Sequence, residues 1–301
     1  MKMLKDIYKY LPSRFKELLI NFQSSNIQEI RLRINRAFAL TIDNTEKYLL
    51  PCGTLSESSS YGIVCTQEDI SQCFDSICNH SVHSYARELS QGYITIEGGN
   101  RVGICGTYVF KGNDLHTIKD ISSINIRISN EFRGSANEIF KLVDFSEPRG
   151  ILLIGKPLSG KTTILRDLCR LVSYKFKVSL IDERSEIASV YNGIPQSNIG
   201  LKVDVFNGYP KDIGINSAIR TMSPDIIFCD EIGTINDFKS IKFGAICGVK
   251  FVCTAHADSI SQVLDNSNFN QILGTNAFDY IITLGSGSNI GKVLDIKSIN
   301  G

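Results

Sequence analysis

Gly155-Lys156-Pro157-Leu158-Ser159-Gly160-Lys161-Thr162 satisfies the pattern G-x-x-x-x-G-K-[ST] at every fixed position. The glycines let the backbone curl until its N–H groups point inward, toward phosphate oxygens. Lys161 then carries a positive charge to the β- and γ-phosphates of a nucleotide, and Thr162 offers a hydroxyl to Mg²⁺. The flanks agree with that reading. Ile151-Leu152-Leu153-Ile154 enters as a short apolar strand, and Thr163-Ile164-Leu165-Arg166-Asp167-Leu168 leaves as a helix whose N-terminal dipole faces the anion. The expected nucleotide contacts are therefore Gly155, Lys156, Pro157, Leu158, Ser159, Gly160, Lys161, Thr162 and Thr163.

Three more strand ends carry polar groups. Asp225-Ile226-Ile227-Phe228-Cys229-Asp230-Glu231 delivers two acids past four apolar residues, at the end where open α/β sheets hold their ligands. Asp230 is expected to hold Mg²⁺ and Glu231 to orient or activate the attacking water. Leu180-Ile181-Asp182-Glu183-Arg184-Ser185-Glu186 and Val252-Cys253-Thr254-Ala255-His256 end in the same manner. A parallel sheet brings such ends to one edge, so Glu183, Glu186, Thr254 and His256 are candidates for groups that surround the γ-phosphate and register its presence. Lys161, Glu231, Glu183, Glu186 and His256 make up the candidate catalytic set.

The texture of the chain changes near Ser146-Glu147-Pro148-Arg149-Gly150. Before it, Leu4 to Phe22 shows helical spacing broken at Pro12, Glu29-Ile30-Arg31-Leu32-Arg33-Ile34 alternates as a half-buried strand, and Gln67 to Leu89 reads as helix with a break near Asn79. Tyr93–Ile96, Val102–Phe110 and Ser123–Ile128 read as strands joined by glycine-containing turns. After it, short buried apolar runs alternate with helices, the pattern of a parallel sheet. The expected organisation is an α+β domain over residues 1–146, followed by an α/β phosphate-loop domain over 147–301 with a parallel-rich sheet, which the family resemblance described below implies to be RecA-like.

Composition narrows the function classes. Thirty-two Lys+Arg against thirty-one Asp+Glu leave a formal charge of +1, which argues against a nucleic-acid binder that works by bulk charge. A RecA-like nucleic-acid-dependent ATPase is the competing reading, since that core is shared. No apolar run approaches the roughly 18–20 residues of a membrane span, and Met1 to Phe22 lacks the apolar core of a signal peptide, so a cytoplasmic address is expected. The nine cysteines, odd in number and mostly within apolar stretches, read as buried thiols. Cys73, Cys78, His80 and His83 match no common zinc spacing and read as a helix with its exit turn.

The order of phosphate loop, acid-rich strand end, Asp-Glu strand end and Thr-x-His strand end resembles the secretion and pilus ATPases of the type II/type IV superfamily, where these segments are the Walker A, Asp box, Walker B and His box. Within it, the chain is similar to the stage III sporulation protein AA family through Ile30–Arg33, Gly92–Ile96, Arg101–Gly106, Ile121–Ile128, Asp182–Ala188 and Met222–Asp225 leading to Asp230-Glu231-Ile232-Gly233. It departs at Asn100, where a histidine is expected before Arg101, and at Ala257-Asp258 after the His box. The resemblance implies an ATP- and Mg²⁺-dependent, ring-forming and hexameric ATPase with nucleotide between its two domains. It implies a motor for a sporulation channel, recruited by membrane proteins of that complex to the mother-cell side of the outer forespore membrane. Such a motor calls for cations near the phosphates, and Arg101, Arg127 and Arg133 beside the later N-terminal strands are the candidates.

Overall fold

Strand β1 (Ile27–Arg33) carries the expected alternation: Ile30 and Leu32 are fully buried, while Glu29, Arg31 and Arg33 keep partial exposure on the opposite face. The computed structural model describes residues 7–19, 22, 27–79, 85, 88, 89, 92–111, 114–129 and 132–299. His80 and His83 of the zinc-like cluster lie outside them, and the described residues contain no group of three metal-ligating side chains.

The chain divides into two compact units, Met1–Asn130 and Glu131–Gly301. In the first, β1 joins β2 (Ala39–Ile42), β3 (Thr45–Leu49), β4 (Leu55–Ser56), β5 (Tyr93–Ile96), β6 (Asn100–Lys111) and β7 (Asp114–Arg127) in the order β4-β3-β2-β1-β7-β6-β5. Every neighbouring pair is antiparallel. The apolar face of the sheet, with Leu40, Ile94, Val102 and Ile126, shares one core with helices α1 (Ser13–Leu19) and α2 (Gln67–Ile77). Thr66 caps α2 through a reciprocal box with Asp69, and the Nε of Arg14 donates to the same carboxylate at 2.7 Å. Helix α2 ends at Ile77, beside the break expected near Asn79. Six of the nine cysteines are buried as expected, whereas Cys52, Cys105 and Cys247 are exposed; Cys105 opens a run of exposed residues, 105–108, in β6.

The second unit begins earlier than the Pro148 region. Helix α3 (Asn137–Leu142) and its exit place Ala136, Ile139, Val143 and Phe145 in the core of this unit, and the Ala136 N–H donates to Asp167 at 3.0 Å. The polar Ser146–Gly150 segment is therefore a loop inside the unit, and the division falls at 130/131 instead of 146/147. A sequence reading weights Pro and Gly; packing follows the apolar face of α3.

The sheet of this unit runs β12-β9-β13-β14-β8-β15-β16. Its members are β8 (Ile151–Ile154), β9 (Val178–Asp182), β12 (Val203–Asn207), β13 (Ile226–Cys229), β14 (Lys250–Ala255), β15 (Tyr280–Leu284) and β16 (Val293–Ser298); β10 (Val190–Tyr191) and β11 (Ile194–Pro195) form a separate small hairpin. All neighbours are parallel except β16, which closes one edge antiparallel to β15. Residues of β8, β9, β13 and most of β14 are buried on both faces, which is why they read as unbroken apolar runs. One face packs α3 and α4 (Lys161–Val172) through Ile164, Leu165, Leu168 and Val172. The other packs α5 (Lys211–Thr221), α6 (Ile235–Ile246), α7 (Ile260–Leu264) and α8 (Ser267–Leu273). This is an α/β architecture with a mixed, parallel-rich sheet. The strands β12 and β15 were not anticipated, because Val203–Asn207 carries Asp204 among its apolar residues and Tyr280–Leu284 carries no motif.

Gly150 stands at the entry to β8, its carbonyl accepting from the N–H groups of Asp279 and Tyr280 at 2.8 and 3.1 Å. A Cβ there would sit 1.9 Å from the Ala277 carbonyl oxygen. Gly150→Ala is expected to destabilise this unit by about 3 kcal/mol, because strand and loop must separate to admit the methyl group. Thermal unfolding that left the midpoint of the variant unchanged would contradict this.

Candidate active site

Strand order brings the polar strand ends together. Strand β14 is inserted between β8 and β13, with Cys253 in register with Cys229 and Ala255 with Ile154. The residues that follow β14 therefore lie between the phosphate loop on one side and Asp230-Glu231 on the other.

Gly160 opens α4 in the left-handed region, at φ 86°, and Leu158 also has positive φ, at 64°. Gly155 admits no side chain: a Cβ there would come within 2.7 Å of Ser159 Oγ and 3.0 Å of the Leu284 carbonyl oxygen. The turn before β16 braces the loop from outside, the Gly291 N–H donating to the Ser159 carbonyl at 3.1 Å. Ser159 Oγ is buried and has no hydrogen-bond partner. The Lys161 side chain is 6% exposed, and its ammonium donates to the carbonyls of Gly155 at 2.7 Å and Lys156 at 2.9 Å. Among the described residues no carboxylate pairs with it at ion-pair distance. Burial pushes its pKa below the usual lysine value, and the charges of Asp230 and Glu231 offset only part of that. A buried cation without a counter-ion, at a helix N-terminus beside an unpartnered hydroxyl, fits an anion of the phosphate class.

Thr162 Oγ1 donates to Asp230 Oδ2 at 2.8 Å, so the hydroxyl and carboxylate named for Mg²⁺ already converge. Thr254, fully buried, donates its hydroxyl to the other Asp230 oxygen and accepts from the Glu231 N–H at 2.8 Å. Those bonds hold Glu231 at φ 50°, a left-handed conformation unusual for a non-glycine residue. His256 Nδ1 lies 3.4 Å from the Lys161 ammonium, and its Nε2 lies 3.3 Å from Glu231 Oε1. An ammonium only donates, so Nδ1 accepts and Nε2 carries the proton that it offers to Glu231. The other Glu231 oxygen, Oε2, accepts from Arg184 Nη1 at 2.9 Å.

Asp182, Glu183, Arg184, Glu186, Lys211, Asp230 and Glu231 line one cleft along this edge. Asp182 is 2% exposed and acts on the backbone: its carboxylate accepts from the N–H groups of Glu186, Ile187 and Ala188 at 2.8, 3.1 and 2.8 Å. Glu183 pairs with Lys211 at 2.7 Å. Burial works against the Lys211 charge, yet the Glu183 hydrogen bond and charge outweigh it and raise its pKa. Sequence reasoning missed Arg184 and Lys211. The only signal for Arg184 was a guanidinium set among acids in a quoted stretch; Lys211 opens α5 with no motif around it.

The arginine candidates fall in different units. Arg101 and Arg127 are cross-strand partners in the first unit, Arg101 over the Tyr93 ring at 4.7 Å and Arg127 paired with Glu29 at 3.8 Å. Arg133 belongs to the second unit, contrary to its assignment beside N-terminal strands, and lines a separate cleft with Phe132, Thr163, Arg166, Asp167, Arg170 and Asn198.

The chain matches the family described as "Sporulation stage III, protein AA" over residues 1–301. It belongs to the stage III sporulation protein AA family. The family's protein from Bacillus subtilis (strain 168) is 33% identical over 307 residues, which span 99% of this chain and 96% of that one. Among solved structures, the Legionella pneumophila ATPase DotB is similar with a TM-score of 0.56 at 15% identity, covering 91% of this chain and 76% of that one. The pilus retraction motor PilT with bound ADP is similar with a TM-score of 0.59 at 15% identity, covering 85% and 74%. The shared fold is that of the P-loop NTPases. No helix among the described residues is long and apolar enough to cross a membrane.

Asp182→Asn replaces one carboxylate oxygen with an amide donor facing N–H groups. It is expected to cost about 1–3 kcal/mol, and hydrogen exchange at the amides of Glu186, Ile187 and Ala188 is expected to accelerate. Unchanged protection at those amides would remove the anchoring role.

Proposed function

We propose that this chain is an ATP-hydrolysing motor of a secretion-like channel complex required for endospore formation. The observation that carries the proposal is the buried Lys161 ammonium, held by two backbone carbonyls with no carboxylate counter-ion among the described residues, at the N-terminus of α4. Membership of the stage III sporulation protein AA family supports the cellular setting, and the fold shared with DotB and PilT supports a motor ATPase.

In this reading the N–H groups that open α4 and the Lys161 ammonium bind the β- and γ-phosphates. Thr162 and Asp230 hold Mg²⁺, which neutralises developing phosphate charge when bound. Glu231 accepts a proton from the attacking water, and His256 holds the Glu231 carboxylate and meets Lys161 on its other side. Glu183 and Glu186 set the far wall of the cleft. ATP contacts run through Gly155, Lys156, Pro157, Leu158, Ser159, Gly160, Lys161, Thr162 and Thr163. The chain works as a homo-oligomer, a hexameric ring, in which Arg101, Arg127 or Arg133 meets the phosphates of a neighbouring copy. Membrane proteins of the channel complex recruit it to the mother-cell face of the outer forespore membrane.

Lys161→Ala is expected to abolish Mg²⁺-dependent ATP turnover, and Glu231→Gln to retain ATP while losing turnover by at least about a hundred-fold. Wild-type turnover that survives Lys161→Ala in purified protein would sink the proposal. The ring predicts a larger particle by light scattering when a non-hydrolysable ATP analogue is present; a monomer with and without it would remove that part. Single-stranded DNA is expected to leave turnover unchanged.

A further inference from the structure

Arg184 occupies a position that the ATPase reading above does not use. Its backbone is fixed: β9 ends at Asp182, whose carboxylate ties down the N–H groups of Glu186, Ile187 and Ala188, and Ser185 between them sits at φ 51°. Its side chain is different, 64% exposed at the rim of the cleft, with Nη1 on Glu231 Oε2. The strand order β9-β13-β14-β8 lays Arg184, Glu231, His256 and Lys161 along the edge in that sequence. Each is joined to the next, by contacts of 2.9, 3.3 and 3.4 Å. An anion seated on Lys161 is thus separated from Arg184 by Glu231 and one imidazole ring.

We propose that Arg184 is a terminal-phosphate ligand from the same chain that is held by Glu231 until a nucleoside triphosphate draws it away. Three properties of the site support this. An exposed ion pair is weak and screened by solvent, so the Glu231 contact is readily given up. A guanidinium stays charged and presents a planar fork that matches phosphate oxygens better than a single carboxylate oxygen. A γ-phosphate carries more negative charge than the Glu231 carboxylate, so the exchange runs toward phosphate when triphosphate is bound and back toward Glu231 when only diphosphate remains. The exchange also takes a cation off Glu231 Oε2, the oxygen that then faces the attacking water. Arg184 in this role discriminates triphosphate from diphosphate and couples that discrimination to the readiness of Glu231.

The proposal rests on the nucleotide site of the ATPase reading, and the test separates the two. Equilibrium binding of the β,γ-imido analogue of ATP and of ADP, each with Mg²⁺, is measured for the full chain, Arg184→Ala, Glu231→Gln and the double variant. Arg184→Ala is expected to weaken binding of the imido analogue about ten-fold or more, with ADP binding within about two-fold of wild type. Glu231→Gln removes the competing charge and is expected to tighten the imido analogue several-fold, a gain that disappears in the double variant. Arg184→Lys keeps the charge without the fork and is expected to recover part of the preference for the imido analogue. Equal effects of Arg184→Ala on both nucleotides, or a Glu231→Gln gain that persists in the double variant, would overturn the role of Arg184 and leave the ATPase reading standing. Wild-type protein that binds neither nucleotide would overturn both.

Discussion

A lysine ammonium buried to 6% exposure, with backbone carbonyls as its nearest partners, is an arrangement that folding alone does not favour. Desolvation lowers the Lys161 pKa, and the acids across the edge only partly compensate. Much of the second unit works to keep that side chain where it is. Gly155 and Gly160 permit the loop geometry, the Gly291 N–H braces Ser159 from outside, and α4 is anchored through Asp167 to the Ala136 N–H. In the proposed function an arriving polyphosphate would supply the counter-charge, so the structural cost and the binding role would be the same feature.

The opposite side of the edge is organised by Thr254. One hydroxyl both donates to Asp230 and accepts from the Glu231 backbone, which keeps Glu231 in its left-handed conformation and its side chain toward His256 and Arg184. Thr254 is fully buried and reaches the site only because β14 lies between β8 and β13. The rigid elements under the site are fully buried strands, while Arg184 and His256 at the rim are half to two-thirds exposed. Buried support beneath an exposed rim is the arrangement that the proposed discrimination of phosphate states would need.

Legibility in the sequence followed local chemistry. The turn from β8 to α4 was readable, because Gly160 in the left-handed region and the close packing at Gly155 require glycine. The strands β8, β9, β13 and β14 were readable because burial on both faces forces continuous apolar runs. The unit boundary was not, since Pro148 and Gly150 advertise a linker whereas the apolar stripe of α3 decides which core it joins. Strand β16, with five of its six residues exposed, offers too little periodicity to be noticed. Arg133 was misassigned for the same reason as the boundary, and Asp182 anchors backbone N–H groups as well as lining the cleft with its neighbours.

The amino-acid order alone determined which groups are available and at which strand ends: Lys161 and Thr162, Asp182 to Glu186, Asp230 and Glu231, Thr254 and His256. It could do so because motif spacing is local, covering a turn and the first residues of the next element. Adjacency was decided by the tertiary structure. The chain passes through phosphate loop, acid-rich end, Asp-Glu and Thr-x-His, but in space His256 lies between Lys161 and Glu231, and Arg184 lies beyond Glu231. Crossover connections in a parallel sheet permute the strands, and no local pattern encodes that permutation. The relay from buried lysine to exposed arginine therefore exists only in the folded sheet.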